Sequence, residues 1–174
     1  MRVELFEADS YIHVVKRGAR GNPLTRDNLD CERFEKLLYY LNDEFRSDFW
    51  EEDVRSCPAF ERPKQWPERS PLVKVVAWTL MSNHFHLLLQ VINVDGVSRF
   101  MQSLCGSMSR HFNEKYDEQG SLFQGAYRSR TIESDEYLRW VISYVLVKNV
   151  FELYPGGYSK AVNEFDKAWK WGVE

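Results

Sequence analysis

Four short β-rich or apolar runs alternate with three longer stretches whose apolar residues recur at helical spacing, and their order of strand, helix, strand, strand, helix, strand, helix predicts an α+β fold. The first six elements match a split βαβ, ferredoxin-like antiparallel sheet with its helices on one face, and the last helix is an addition to that core. Size agrees: 174 residues, 44% hydrophobic and 15% aromatic, suit one domain of ordinary dimensions. Residues 1–174 read as that single domain, with a core over about 11–150 and a C-terminal extension over 151–174.

Taken in order, Tyr11-Ile-His-Val-Val-Lys is β-rich and stops at the breaker-rich Arg17-Gly-Ala-Arg-Gly-Asn-Pro, which predicts a first strand and then a loop where chemistry can sit. Phe34, Leu37, Leu38 and Leu41 repeat at helical spacing, so the first helix is expected from Asp30 to about Phe49, capped by Asn28 or Asp30. Pro58, Pro63, Pro67 and Pro71 punctuate a polar stretch, 56–70, that no regular element tolerates. Leu72 to Met81 and His84 to Ile92 are apolar runs joined by Ser82-Asn83, a β-hairpin through the core. After the turn Asp95-Gly96, Ser98 is a fitting cap for a helix to about Tyr116 that carries Phe100, Met101, Leu104, Met108 and Phe112. Gly120 and Gly125 precede a fourth strand over Ala126 to Ile132. Ser134 or Asp135 then caps a final helix to about Val150, and one short helix is expected beyond Pro155-Gly-Gly.

Composition narrows the function classes. No apolar run approaches the roughly 18 to 20 residues of a membrane span, and Met1-Arg-Val-Glu-Leu-Phe-Glu lacks the basic-then-apolar pattern of a leader, so a cytoplasmic protein with no membrane partner is expected. Cys31, Cys57 and Cys105 are odd in number and far apart, which argues against a disulfide framework and a thiolate zinc site. A net charge of −3 and a pI near 5.9 run against nucleic-acid binding by the whole surface. The charge is uneven, however. Acids concentrate over Asp43 to Asp53 and Glu133 to Glu136, whereas Lys16, Arg17, Arg20 and Arg26 cluster early and Arg128 and Arg130 alternate late, leaving room for a local basic face.

His84-Phe-His86 is the sharpest chemical feature. Strand geometry sends alternate side chains to one face, so the two imidazoles stand side by side and Phe85 turns into the opposite layer. The pair alone reads equally as metal ligands or as two half-exposed polar residues. Its setting is Trp78-Thr-Leu-Met-Ser-Asn-His-Phe-His-Leu-Leu-Leu-Gln, and here the chain resembles the HUH single-tyrosine transposases, which include insertion-sequence transposases and REP-associated tyrosine transposases. Tyr11-Ile-His-Val-Val-Lys-Arg-Gly is similar to that family's first strand and loop, Ser98-Arg-Phe-Met-Gln-Ser-Leu and Arg110-His-Phe-Asn to its middle helix, Gly120-Ser-Leu-Phe-Gln-Gly-Ala-Tyr-Arg-Ser to its approach to the fourth strand, and Glu136-Tyr-Leu-Arg-Trp-Val-Ile-Ser-Tyr-Val-Leu to its catalytic helix. The resemblance runs from about Tyr11 to Val150.

The resemblance implies that His84 and His86 bind a divalent cation, Mg²⁺ or Mn²⁺, and that Tyr144 forms a 5′-phosphotyrosine link to single-stranded DNA folded as a hairpin. The chemistry is coherent, because a phenol with an ordinary pKa of about 10 is a poor nucleophile without such help and the covalent link stores the energy for rejoining. Tyr144 also has a bland reading as one of nine tyrosines, but Val141, Ile142 and Val145 form the apolar stripe of its helix while Trp140, Tyr144 and Lys148 fall along the neighbouring one. The family places an amide four residues after its tyrosine to complete the metal site; Lys148 stands there instead. Asn149 is one residue further and can ligate only if the helix is distorted or ends there, and Lys148 can contact phosphate. Arg17, Arg20, Arg99, Arg110, Arg128 and Arg130 are the candidate DNA contacts, with Tyr127 or tryptophans for stacking; His13 lines the sheet face near the site and His111 is a surface or packing residue. The expected activity is that of a metal-dependent endonuclease and strand transferase. The alternatives are a domesticated hairpin-DNA-binding protein that has lost its chemistry and a metal phosphodiesterase using water. Monomer and homodimer both remain open.

Overall fold

The computed structural model describes residues 6–173; residues 1–5, which open the segment examined for a leader, lie outside the described residues. Four strands, β1 (Tyr11–Arg17), β2 (Val73–Leu80), β3 (His84–Val91) and β4 (Arg128–Ile132), form one sheet in the order β2-β3-β1-β4, every pair antiparallel. This is the α+β, split βαβ arrangement expected from the pattern. In β3 the alternation is plain: Phe85, Leu87 and Leu89 are fully buried on one face, and His84, His86 and Leu88 occupy the other. Val75 and Ala77 of β2 pair with successive residues of β3, so Val76 bulges out and is exposed.

On the Phe85 face lie α1 (Asn28–Tyr40) and α3 (Gly96–Tyr116), whose Phe34, Leu37, Phe100, Leu104 and Met108 build the main core with Ile12 and Val14 of β1. Asp27, rather than Asn28 or Asp30, caps α1 by accepting from the Asp30 N–H, and Asp30 is drawn inward. The helix ends at Tyr40, well short of Phe49, because Asn42 exchanges two hydrogen bonds with the Val73 backbone and Asp43 pairs with Arg62. A short α2 (Trp50–Val54) follows, seating Trp50 on Tyr40. Likewise α3 begins at Gly96 rather than Ser98. A Cβ on Gly96 would lie 2.3 Å from the Leu72 carbonyl oxygen, so glycine allows this close approach to the strand entry.

The last helix does not run unbroken to Val150. Ser134 caps α4 (Asp135–Ser143), one π-turn spans Tyr144–Lys148, and α5 (Asn149–Leu153) continues the rod. This rod lies across the second face, where Val141 and Val145 meet Ala77, Leu88 and Ile132 in a smaller core. The tail holds two helices where one was expected, α6 (Gly157–Asn163) and α7 (Phe165–Val173), because Ala161 and Ala168 both close on Phe151 of α5. Among the described residues no helix is long and apolar enough to cross a membrane.

Candidate active site

The site forms where the second face of the sheet emerges from under the α4 rod. Along β3, Leu88 is fully buried beneath it, His86 is 5% exposed and His84 is half-buried at the strand's start. Antiparallel pairing sets Arg17 of β1 opposite His84, Val15 opposite His86 and His13 opposite Leu88, and on the far side of β1 it sets Arg130 against His13 and Arg128 against Val15. One face therefore carries three imidazoles and three guanidinium groups.

The three imidazoles form one cluster. The rings of His84 and His86 are 4.9 Å apart, those of His13 and His86 stack at 5.1 Å, and Nε2 of His13 lies 2.9 Å from Nδ1 of His86. Because Nδ1 of His86 is engaged by His13, its other nitrogen is the one left to bind; Nε2 of His86 is buried and has no hydrogen-bond partner. Burial, chiefly, with the neighbouring His13, His84, Arg17 and Lys148, pushes the His86 pKa down to about 3, and burial also lowers those of His13 and His84. All three rings are thus neutral near pH 7, the form that offers a lone pair to a metal.

Tyr144 reaches this cluster from the rod. Its ring is half-buried, 5.4 Å from that of His86 and 6.2 Å from that of His13, edge-on to both. The π-turn decides what accompanies it. The Asn149 N–H bonds to the Tyr144 carbonyl, five residues back, so Asn149 takes the place that the residue four on holds in an α-helix. Asn149 is 1% exposed and its Nδ2 has no partner. Lys148 is correspondingly displaced: it pairs with Glu152 and lays its ammonium 5.0 Å from the centre of the Tyr144 ring. The hydrogen bond to Glu152 raises its pKa, so it stays charged. The buried hydroxyl of Thr79, on β2, donates to the Val145 carbonyl inside the turn and ties the distortion to the sheet.

The residue types fit a divalent cation only in part through strong donors. Among the described residues no three His, Cys, Asp or Glu side chains are grouped to hold a metal, so one bound here would rest on His84, His86 and a neutral third donor. The orphaned Nε2 of His86 and the orphaned amide of Asn149 supply what such a set needs, since an amide can turn its oxygen to the point its nitrogen occupies.

The candidate DNA contacts divide. Arg17, Arg128 and Arg130 share the site's face and form no ion pair among the described residues, while Arg20 lies in the loop after β1, also unpaired and in a left-handed conformation (φ 56°). That loop is held close by Gly18, where a Cβ would fall 2.2 Å from the Asn22 carbonyl oxygen. Arg99 and Arg110 stand on α3, in the opposite layer, and Arg99 is occupied by Glu44 and Asp95. His111 bonds the buried Asp30, and burial holds the Cys105 thiol up at about 12, so both serve packing. Sequence reasoning missed the bond from His13 to His86 and the role of Thr79; the signal for the first was present in the period-two placement of His13, once β1 pairs with β3.

Residues 68–147 match the family described as "Transposase IS200 like", a span that holds the hairpin of β2 and β3, all of α3 and Tyr144. Among solved structures, a REP-associated tyrosine transposase bound to a REP hairpin is similar at 13% identity over 84% of this chain and 70% of its own, with a TM-score of 0.46. A candidate transposase from Deinococcus radiodurans R1 is similar at 14% identity over 83% of this chain and 95% of its own, with a TM-score of 0.43. No curated protein matches. Residues 68–147, the stretch that carries both strand histidines and the rod tyrosine, are thus similar to the IS200-like transposases.

Proposed function

We propose that this protein cleaves and rejoins single-stranded DNA beside a hairpin, with Tyr144 as nucleophile and His84, His86 and Asn149 as the holders of a divalent cation, Mg²⁺ or Mn²⁺. One observation carries the reading: the π-turn gives Asn149, whose Nδ2 is buried and unpartnered, the angular place of a residue four after Tyr144, and the Tyr144 ring meets that of His86, whose Nε2 is buried and unpartnered. When bound, the cation would polarise the scissile phosphate. The chain supplies the rest. The Tyr144 oxygen gives up its phenolic proton to solvent and attacks phosphorus, a bond from Tyr144 Oη to phosphorus forms, the bond to the 3′ oxygen breaks, and that oxygen takes up a proton in exchange and departs as a 3′-hydroxyl. Reversal by another 3′-hydroxyl rejoins the strand without ATP. Arg17, Arg128 and Arg130 hold the flanking phosphates on the open face, and the rod shields one side of the site from water.

The test is incubation with Mg²⁺ or Mn²⁺ and end-labelled hairpin-bearing single strands, followed by denaturing gels. A covalent protein–DNA band is expected from the wild type and none from Tyr144→Phe or His86→Ala. Cleavage that persists in Tyr144→Phe would overturn the tyrosine mechanism in favour of attack by water; hairpin binding with no band under either metal would leave a DNA-binding protein without this chemistry.

A further inference from the structure

The π-turn in the rod has a cause outside the helix, and that cause sits beside the histidines. In an α-helix the Asn149 N–H would bond to the Val145 carbonyl, four residues back. Here it bonds to the Tyr144 carbonyl, and the Val145 carbonyl accepts from the hydroxyl of Thr79 instead. Thr79 is 5% exposed, and strand pairing sets it directly across from His86. A hydroxyl inserted into the helical ladder thus occupies the acceptor that the ordinary register needs, at the strand position next to the buried imidazole. The local sequence does not demand the wider turn, since Tyr144-Val-Leu-Val-Lys contains neither glycine nor proline.

The end of the rod can follow either register. Ala161 of α6 and Ala168 of α7 close on Phe151 of α5, and a Cβ on Gly172 of α7 would fall 2.6 Å from Cγ1 of Val150, so the three helices form one unit. Between this unit and β2 lies a cavity of about 610 Å³, lined by Trp78, Thr79, Leu80, Leu146, Trp169 and Trp171, which leaves room for the unit to turn.

We propose that Thr79 is a positioning residue that selects the register of the rod and thereby decides whether Asn149 or Lys148 stands one turn after Tyr144. With the hydroxyl in place the amide stands there, and Lys148 is turned aside to Glu152. Without it the Asn149 N–H recovers the Val145 carbonyl, the turn narrows, and an ammonium replaces the amide beside the imidazoles. A cation in that place repels a divalent metal. The proposal deepens the metal reading above and rests on it for this consequence alone, because the register is set in the metal-free chain.

Through-hydrogen-bond couplings in nuclear magnetic resonance of the metal-free protein read the register directly, and Mn²⁺ titration followed by electron paramagnetic resonance reads its consequence. The Asn149 amide nitrogen is expected to couple to the Tyr144 carbonyl carbon in the wild type and in Thr79→Ser. In Thr79→Val, which keeps the shape and loses the donor, it should couple to that of Val145. Mn²⁺ affinity should fall about 10- to 100-fold in Thr79→Val and stay within about threefold in Thr79→Ser. Deleting Leu146 from Thr79→Val should return the affinity to within about twofold of the wild type, because Asn149 then falls four residues after Tyr144 without help from a hydroxyl. A substitution that merely loosened the fold would not be repaired by removing a residue. Coupling to Tyr144 that persists in Thr79→Val would overturn the proposal. So would an affinity, or a folded state lost in Thr79→Val, that deleting Leu146 does not restore. A wild type that binds no Mn²⁺, while the coupling still moves with Thr79, would overturn the metal reading and leave Thr79 supported as the selector of the register.

Discussion

The two faces of the sheet share their strands and differ in what they demand of a side chain. On the Phe85 face, Phe34, Phe85 and Phe100 interlock under two helices, and the buried Asp30 is held by Lys115, Tyr116, His111 and the Arg26 N–H. The other face passes within three alternate positions from a fully buried Leu88 to a half-buried His84, and there buried polar atoms of His86 and Asn149 are left without partners. Unsatisfied buried groups cost stability, and those of His86 and Asn149 mark this face as a place for a ligand. The site sits at the border of cover, dry enough to keep imidazoles neutral and, at the half-buried His84, open to the surface.

Substitution should break this contrast first at adjacent residues. Phe85→Ala is expected to cost about 3 to 5 kcal/mol in denaturant unfolding, whereas His86→Ala, one residue on, should cost no more than about 1 kcal/mol while abolishing metal binding in calorimetry. Next comes Asp30. Burial alone would raise its carboxyl, but hydrogen bonds from Lys115, Tyr116, the Arg26 N–H and His111 outweigh this and hold it well below the usual carboxylate range. A carboxyl depressed on folding stabilises above its unfolded pKa of about 3.9 and loses that contribution as pH falls through the folded value. Asp30→Asn should therefore destabilise by about 2 kcal/mol at pH 7, and the difference from wild type should shrink steadily below about pH 4 in thermal or urea melts. On the open face, His13→Ala should weaken Mn²⁺ binding by about 10- to 100-fold with an unchanged melting profile near pH 7, because it frees Nδ1 of His86 to take another role. The smallest change is expected from deleting the exposed Leu146: the π-turn becomes an ordinary helical turn, Asn149 falls four residues after Tyr144, and metal affinity should stay within about twofold. If that deletion removed binding as completely as Asn149→Leu, Asn149 would not be acting from the face shared with Tyr144.

Much of the frame was legible because it rests on periodicity. His84 and His86 on one face and Phe85 on the other follow from two-residue alternation, and the stripe of Trp140 and Tyr144 follows from helical spacing, which the π-turn then breaks before Lys148. What escaped was non-local. The early end of α1 depends on Asn42 meeting Val73, and the second tail helix on Ala168 meeting Phe151, contacts between residues far enough apart that no window on the sequence contains the reason. The π-turn belongs to the same class. Tyr144-Val-Leu-Val-Lys is a good helical sequence, and it is Thr79, 66 residues earlier, that holds the Val145 carbonyl. Arg99 and Arg110 were credible by charge alone, and only the layering of α3 against the Phe85 face sets them apart from the tyrosine.

The π-turn also bears on how such chains are aligned. It acts as a one-residue insertion absorbed within a single turn, so that α5 leaves the rod in nearly the phase it would have had without it. A pattern requiring an amide at a fixed interval of four after the tyrosine would meet Lys148 and reject the chain, although the amide is one position later on the same side of the rod. Position on a helix is an angle rather than a count, and a gap of one opposite a tyrosine-bearing helix is better read as a wider turn than as a lost amide.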